Sequence, residues 1–206
     1  GVCWRCKTPV EILSKPQWFM RVLDLNDLAI QKAKEVRWVP THMLNRFIDW
    51  AKSMDWDWVI SRQRVFATPI PAWYCKRCGK PLVAEEEHLP IVPGKDPPPF
   101  ENCPYCKGTE FEPERDVLDT WMDAGWPNLN RKLFPADLQP NGTDIIRTWD
   151  YYLMVRHLAL LGEAPYRIVL INGMVIGDDG RKMSKSLGNY VDTTYARNKW
   201  GADALR

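Results

Sequence analysis

Between Asp24 or Asn26 and about Arg37, the apolar residues Leu28, Ala29, Ala33 and Val36 share one face at the helical period, which predicts an amphipathic helix. Pro40 interrupts it. Thr41 stands where an N-cap is needed for a second helix, in which Met43, Leu44, Phe47, Ile48 and Ala51 recur at helical spacing. Upstream, Gln17 to Leu23 reads as extended chain. Trp56 to Ile60 predicts a buried strand, and Pro69-Ile70-Pro71 closes off any helix after the polar run Ser61-Arg62-Gln63-Arg64. Regular α/β pattern resumes near Val117. Thr148 or Asp150 can cap a helix that runs to Leu161 and stops at Gly162; it is apolar on nearly every side, so it is expected to be buried. Arg167 to Asn172 holds the continuous apolar run of a parallel-sheet strand. Met174-Val175-Ile176, the turn signal Asp179-Gly180 and a basic loop follow, and Gly201 to Arg206 reads as the start of a further helix that has been cut.

These elements predict an α/β chain, and composition narrows the reading only a little. The 206 residues suffice for one sizeable core plus a small appended module. Hydrophobic residues at 45% and charged residues at 26% are ordinary globular usage. A net charge of +2 excludes a chain-wide basic field, although nucleic acid needs only a local patch. Eleven Trp and seventeen Pro point to aromatic packing and rigid connections instead of disorder. No apolar run approaches the roughly 20 residues of a membrane span, so no membrane partner is expected. The chain opens on Gly1, not Met, without a signal-peptide pattern, and reads as a processed or excised piece.

All six cysteines fall in Cys-x-x-Cys pairs, a spacing that suits metal chelation in a reducing, cytoplasmic setting better than a disulfide framework. Cys75, Cys78, Cys103 and Cys106 form a four-thiolate set across a 24-residue spacer. Tetrahedral Zn²⁺ is the natural occupant, and four filled positions make the site structural. The Pro-rich stretch from Leu89 to Phe100 lies between the pairs, so residues 75–106 read as an inserted metal knuckle with a long loop. Cys3 and Cys6 make a half-site with no second pair left to complete it, and it is expected to be orphaned. His42, His88 and His157 show no partner pattern and read as surface or helix-packing residues.

The stretch Gly180-Arg181-Lys182-Met183-Ser184-Lys185-Ser186-Leu187-Gly188-Asn189 concentrates two Lys, two Ser and flanking Gly on one short segment. Such a loop can bring point charges and hydroxyls to phosphate oxygens, with glycines to let it bend. Lys182 to Ser186 is identical to the KMSKS signature, and the chain thereby resembles the class I aminoacyl-tRNA synthetases over essentially its whole length. The resemblance implies the second half of a Rossmann-type, parallel-sheet nucleotide-binding domain with the four-cysteine zinc knuckle inserted. It divides the chain into residues 1–23 (end of an editing insertion and junction), 24–74 (helices and strand of the catalytic domain), 75–106 (knuckle) and 107–206 (second Rossmann half with the loop).

The same resemblance implies roles. Lys182 and Lys185 become the catalytic cations that neutralise the pyrophosphate of ATP while an amino-acid carboxylate attacks the α-phosphorus. Met183, Ser184 and Ser186 belong to that loop. Gly142-Thr143-Asp144 matches the family's Gly-x-Asp element, whose Asp reaches ribose hydroxyls or the substrate amino group. Asn172-Gly173-Met174 matches the adenine-contacting strand end. Trp121 and Trp149, with Ile145 and beside Asp144, match the walls of a small aliphatic pocket. The runs Trp58 to Cys75 and Thr148 to His157 resemble the archaeal-type valine-specific branch, with the isoleucine-specific branch as alternative. ATP with Mg²⁺, valine and tRNA(Val) are then the implied substrates. The HIGH-containing half, an editing domain and an anticodon-binding domain are the implied remainder. No HIGH-like tetrapeptide occurs in these 206 residues, so the chain by itself is expected not to form adenylate at a useful rate. A stand-alone zinc-ribbon module that contacts RNA or protein is the other class of reading.

Overall fold

The computed structural model describes residues 1–3, 6–124 and 134–206. The first half contains β1 (Phe19–Met20), α1 (Asn26–Glu35), β2 (Arg37–Val39), α2 (Met43–Ser53), β3 (Trp58–Val59) and β4 (Ser61–Arg62). Next come β5 (Ala72–Cys75), β6 (Pro81–Val83), β7 (Phe111–Pro113), β8 (Val117–Leu118) and α3 (Thr120–Ala124). The last part holds β9 (Ala136–Gly142), α4 (Tyr151–Leu161), β10 (Tyr166–Asn172), α5 (Thr193–Trp200) and α6 (Ala202–Leu205). Among the described residues no helix is long and apolar enough to cross a membrane.

β10 is the centre of a three-stranded parallel sheet, with β2 on one side and β9 on the other. Its apolar run pairs where the pattern predicts, and Val169 and Ile171 are buried beneath the helices. β9 was not legible: Ala136-Asp137-Leu138-Gln139-Pro140-Asn141-Gly142 is polar and carries a proline. It is an edge strand, the position that tolerates proline, and its pairing with β10 rather than its own pattern makes it a strand. That pairing sets Gly142 directly beside Asn172.

The helices cover this sheet with the faces their spacing predicts. Ala29 and Ala33 of α1, Phe47 and Ala51 of α2, and Tyr151, Met154 and Val155 of α4 are fully buried in one cluster. Burying a large side chain of this kind contributes about 1.5–3 kcal/mol. Aromatic contacts knit the cluster: Trp38 to Phe47 at 5.7 Å, Phe47 to Tyr151 at 5.9 Å, and Trp58 stacked on Tyr152 at 3.9 Å. α4 ends at Gly162, whose φ of +71° is the left-handed cap that glycine adopts freely. His157 packs inside α4 with Nδ1 2.8 Å from the Leu153 carbonyl, while His42 and His88 are exposed.

Two local expectations need correction. Thr41 does not cap α2: His42 holds that position without a side-chain bond, and the Pro40 carbonyl accepts from Met43 N–H at 3.1 Å. Trp56 is not in the strand that follows; it is 66% exposed, and only Trp58 and Val59 pair, with β1.

β5, which ends at Cys75, is the centre of a separate antiparallel sheet in the order β6-β5-β7. One carboxylate ties it to the amino-terminal segment. Glu114 accepts from Trp18 Nε1 and from the Tyr74 hydroxyl, both at 2.6 Å, and from the backbone N–H groups of Arg115 and Asp116. Burial opposes its charge, yet these donors hold it below the usual carboxylate range.

A short π-turn, Ile146–Asp150, leads into α4 and leaves Asp150 fully buried. Its Oδ2 accepts from Asn141 Nδ2 at 3.0 Å, while Asp150 Oδ1 and Asn141 Oδ1 have no hydrogen-bond partner among the described residues. Burial pushes this carboxyl up to about 7, against the hydrogen bonds of Asn141 and Tyr166. The folded chain then holds a proton that the unfolded chain releases near pH 4, so stability declines as pH rises from about 4 to about 7 and levels off above. Replacing Asp150 with Asn keeps the shape, removes the charge and supplies a donor. Asp150→Asn is expected to match the parent at about pH 3.5, where the carboxyl is protonated in both states, and to exceed it at pH 8 by on the order of a few kcal/mol. Urea unfolding at the two pH values checks this; an equal decline in both proteins counts against it.

Candidate active site and metal centre

Parallel strands leave a crevice beyond their carboxyl ends, and the ends of β9 and β10 lie side by side at Gly142 and Asn172. From Gly142 the chain turns through a short 3₁₀ segment, Thr143–Ile145, which presents Asp144 on the surface. A Cβ on Gly142 would lie 2.7 Å from Asp144 Oδ1 and 3.4 Å from Met174 Sδ, so only glycine lets the carboxylate fold back over the strand end. Asn172 and Gly173 are exposed on the neighbouring strand end, and a Cβ on Gly173 would meet nothing within 4 Å.

The basic loop returns to this same place. Ile176 pairs with Lys182 in an isolated antiparallel bridge, Met183 N–H donates to the Val175 carbonyl, and Gly180 makes the turn at φ +71°. Lys182 thereby reaches Asp144 and forms an ion pair with it. Lys185 begins a short 3₁₀ turn, Lys185–Leu187, exposed and without a carboxylate partner among the described residues. Ser184 and Ser186 lie within hydrogen-bonding distance, Oγ to Oγ at 2.8 Å.

One residue that holds this loop has no role assigned from sequence. Asn189 accepts from Ser184 N–H at 2.9 Å through Oδ1, and through Nδ2 it donates to both Asp179 oxygens and to the Lys182 carbonyl. Asp179 also accepts from Arg181, and these donors bring its carboxyl down to about 2. An asparagine just after a glycine is a turn signal that a closer reading of the loop can find. Asn141 is a second such residue: besides Asp150 it bonds the Gly142 carbonyl, fixing the strand end under Asp144.

Trp121 and Trp149 stand together, with ring centroids 6.0 Å apart at 54°, both half-buried at the edge of the main cluster. Trp121 is positioned by Asp119, which accepts from its backbone N–H at 2.8 Å and pairs with Arg62 at 2.6 Å. Ile145 is half-buried one residue beyond Asp144.

The four sulfurs of Cys75, Cys78, Cys103 and Cys106 lie within 4.8 Å of one another, with Cys75 to Cys106 at 3.5 Å and Cys78 to Cys103 at 3.7 Å. A tetrahedron of metal–sulfur bonds of about 2.3 Å has sulfur–sulfur edges of about 3.8 Å, so the donor set fits a metal ion. Without a cation the thiols cannot ionise together. Burial opposes charge on Cys75, but backbone N–H groups of Cys78 and Arg77 bring it to about 7; at Cys106 the Gly108 N–H lowers the thiol, while burial and the neighbouring sulfurs push it up to about 12.

All three cysteine pairs share one backbone device. In each, the residue after the second cysteine adopts positive φ and donates its N–H to the first cysteine's carbonyl. Gly79 does so at 2.7 Å, Lys107 at 2.8 Å and Lys7 at 2.8 Å. Two of these residues are not glycine, and their φ values of +61° and +62° are the strained choice for a lysine. The turn after Cys6 thus matches those of the other two pairs, while Trp4 and Arg5 lie outside the described residues. Cys6 is exposed, and hydrogen bonding with Thr8 brings its thiol to about 7.

Comparison with known proteins agrees with this geometry. A valine–tRNA ligase of Methanopyrus kandleri is 55% identical over the whole of this chain and 23% of its own length. One from Methanothrix thermoacetophila is 56% identical, again over the whole chain and 25% of the relative. The chain therefore spans about a quarter of the length of the curated relatives it matches. Among solved structures, a Mycobacterium tuberculosis methionyl-tRNA synthetase in complex with methionyl-adenylate shares the fold, with a TM-score of 0.60 and 22% identity over 99% of this chain and 35% of that one. The family model described as tRNA synthetases class I (I, L, M and V) matches residues 10–206. The chain belongs to the class I tRNA synthetases.

Proposed function

We propose that this chain supplies the phosphate-handling half of an active site that joins valine to ATP and passes the valyl group to tRNA(Val). The observation that carries the reading is convergence: Gly142 to Asp144, Asn172 to Met174 and Lys182 to Ser186 meet beyond two adjacent strand ends. A nucleotide set in that crevice meets Asp144 at the ribose and backbone groups of Asn172 to Met174 at the base. Its phosphates face the loop. The attacking carboxylate of the amino acid is ionised at neutral pH, so no general base is needed. What the reaction requires is positive charge where pyrophosphate departs, and Lys185, exposed and not tied to a carboxylate among the described residues, provides it. Lys182 provides more once it leaves Asp144. Mg²⁺ is expected to accompany ATP and spread the same charge.

Trp121, Trp149 and Ile145 support an aliphatic side chain over a polar one, because two indoles and a branched alkyl group offer no hydrogen-bonding complement to a hydroxyl. An isosteric hydroxyl is rejected by only about 10²-fold in such a pocket, so accuracy needs a second site. Cys75, Cys78, Cys103 and Cys106 hold structural Zn²⁺ in this reading, and Cys3 and Cys6 hold half of a second centre. Thiolate chelation fits a reducing compartment, the cytoplasm.

Two outcomes test the reading. In the protein expressed at the full length of its relatives, Lys185→Ala is expected to slow valine-dependent ATP–pyrophosphate exchange by about 10²–10³-fold, with little change in the KM for valine. Retained exchange refutes the role given to the loop. Metal analysis is expected to find zinc that the double substitution Cys75→Ser with Cys103→Ser removes, together with a lower Tm. Unchanged zinc content after that substitution places the metal elsewhere.

A further inference from the structure

The two knuckle turns around the four-cysteine centre carry more positive charge than the module pairs internally. A hollow of about 430 Å³ is lined by Lys76, Arg77, Lys107, Gly108, Thr109 and Glu110. Three of these are cations and one is a carboxylate. Lys76 pairs with Glu110 at 3.2 Å, whereas Arg77 and Lys107 have no carboxylate partner among the described residues. Both are nevertheless held. Arg77 Nη1 donates to the Cys106 carbonyl at 3.1 Å, and Lys107 is fixed at φ +61° by its bond to Cys103. Gly108 brings the turns together: a Cβ there would come within 3.1 Å of Arg77 Cβ and 3.2 Å of Cys75 Sγ. Also on these turns, Tyr105 is 61% exposed, and Lys80 Nζ sits 4.1 Å from its ring centroid.

We propose that this hollow is a docking site for RNA backbone phosphates. Arg77 and Lys107 bind the phosphate oxygens, the Thr109 hydroxyl adds a donor, and Tyr105, two residues before Lys107, offers an exposed ring to a base on the same turn. Cations gathered only to offset charged thiolates would require neither an open hollow nor an exposed aromatic ring. The contact is to the backbone, so it contributes affinity and orientation without reading sequence. The choice of tRNA(Val) as probe rests on the synthetase reading; the phosphate chemistry does not.

Lys107→Gly is a suitable probe, because glycine already holds the equivalent place at Gly79 and suits the positive φ. It is combined with Arg77→Gln, which removes the second phosphate ligand, in the full-length protein, and tRNA(Val) transcript binding is followed from roughly 50 to 300 mM salt, a range over which phosphate contacts weaken steeply. Each phosphate contact contributes roughly 0.7–0.9 to the slope of log affinity against log salt. The double variant is expected to lose about 1.5 from that slope and roughly tenfold or more in affinity at low salt. Zinc content and valine-dependent pyrophosphate exchange are expected to stay at parental levels. An unchanged slope and affinity with zinc retained overturns the proposal. Faster zinc loss to a chelator with unchanged tRNA affinity also overturns it, and assigns the cations to the thiolates. Pyrophosphate exchange in the parent reports on the synthetase reading separately, and an unrelated RNA hairpin carried through the same titration keeps the phosphate contact testable if that reading fails.

Discussion

The parallel pairing of β9 with β10 is the constraint on which the rest of the site depends. It is formed by a strand with little hydrophobic reason to exist: β9 is polar, contains Pro140 and lies at the sheet edge. Its order comes from backbone hydrogen bonds to β10, whose own position is fixed by burial of Val169 and Ile171. Once that register is set, Gly142 and Asn172 are neighbours, and a carboxylate, a strand end and a basic loop share one small region. A slip of the register by one residue would turn the face that carries Asn141 away from α4 and break its bond to Asp150.

The buried Asn141–Asp150 contact shows how the chain secures that arrangement at a cost to stability. A carboxyl without full hydrogen bonding in the interior opposes folding at neutral pH, yet it anchors both the strand end and the π-turn that presents Trp149. The Arg62–Asp119 pair does the same for Trp121 with less penalty, since Arg62 remains partly solvated and also bonds the carbonyls of Val59 and Ser61. The two indoles, Trp121 and Trp149, are therefore held by two separate polar devices.

How much was legible follows from which forces act locally. α1, α2, α4 and β10 could be read because burial imposes a period on the residues that form them. The cysteine pairs could be read because chelation fixes spacing. β9 could not, since its partner and not its sequence decides its conformation. Thr41 misled for a related reason: a good capping side chain is optional where a preceding carbonyl can do the job, as Pro40 does here. Asp179 could be read as a turn residue, but its bond to Asn189 could not, because two polar residues ten positions apart acquire a partner only when the turn that joins them is known. The positive φ at Lys7 and Lys107 is similar, visible only by comparison with Gly79 in the third knuckle.

The Lys182–Asp144 ion pair has a consequence for how the basic loop is held. Lys182 of the loop and the carboxylate that faces the strand end neutralise each other. Only Oδ2 of Asp144 meets the ammonium, so Oδ1 keeps its capacity to accept a further donor while Lys182 stays in place. The basic loop is thus tethered to the strand end through a single carboxylate oxygen, while its other lysine, Lys185, stays exposed without a carboxylate of its own among the described residues.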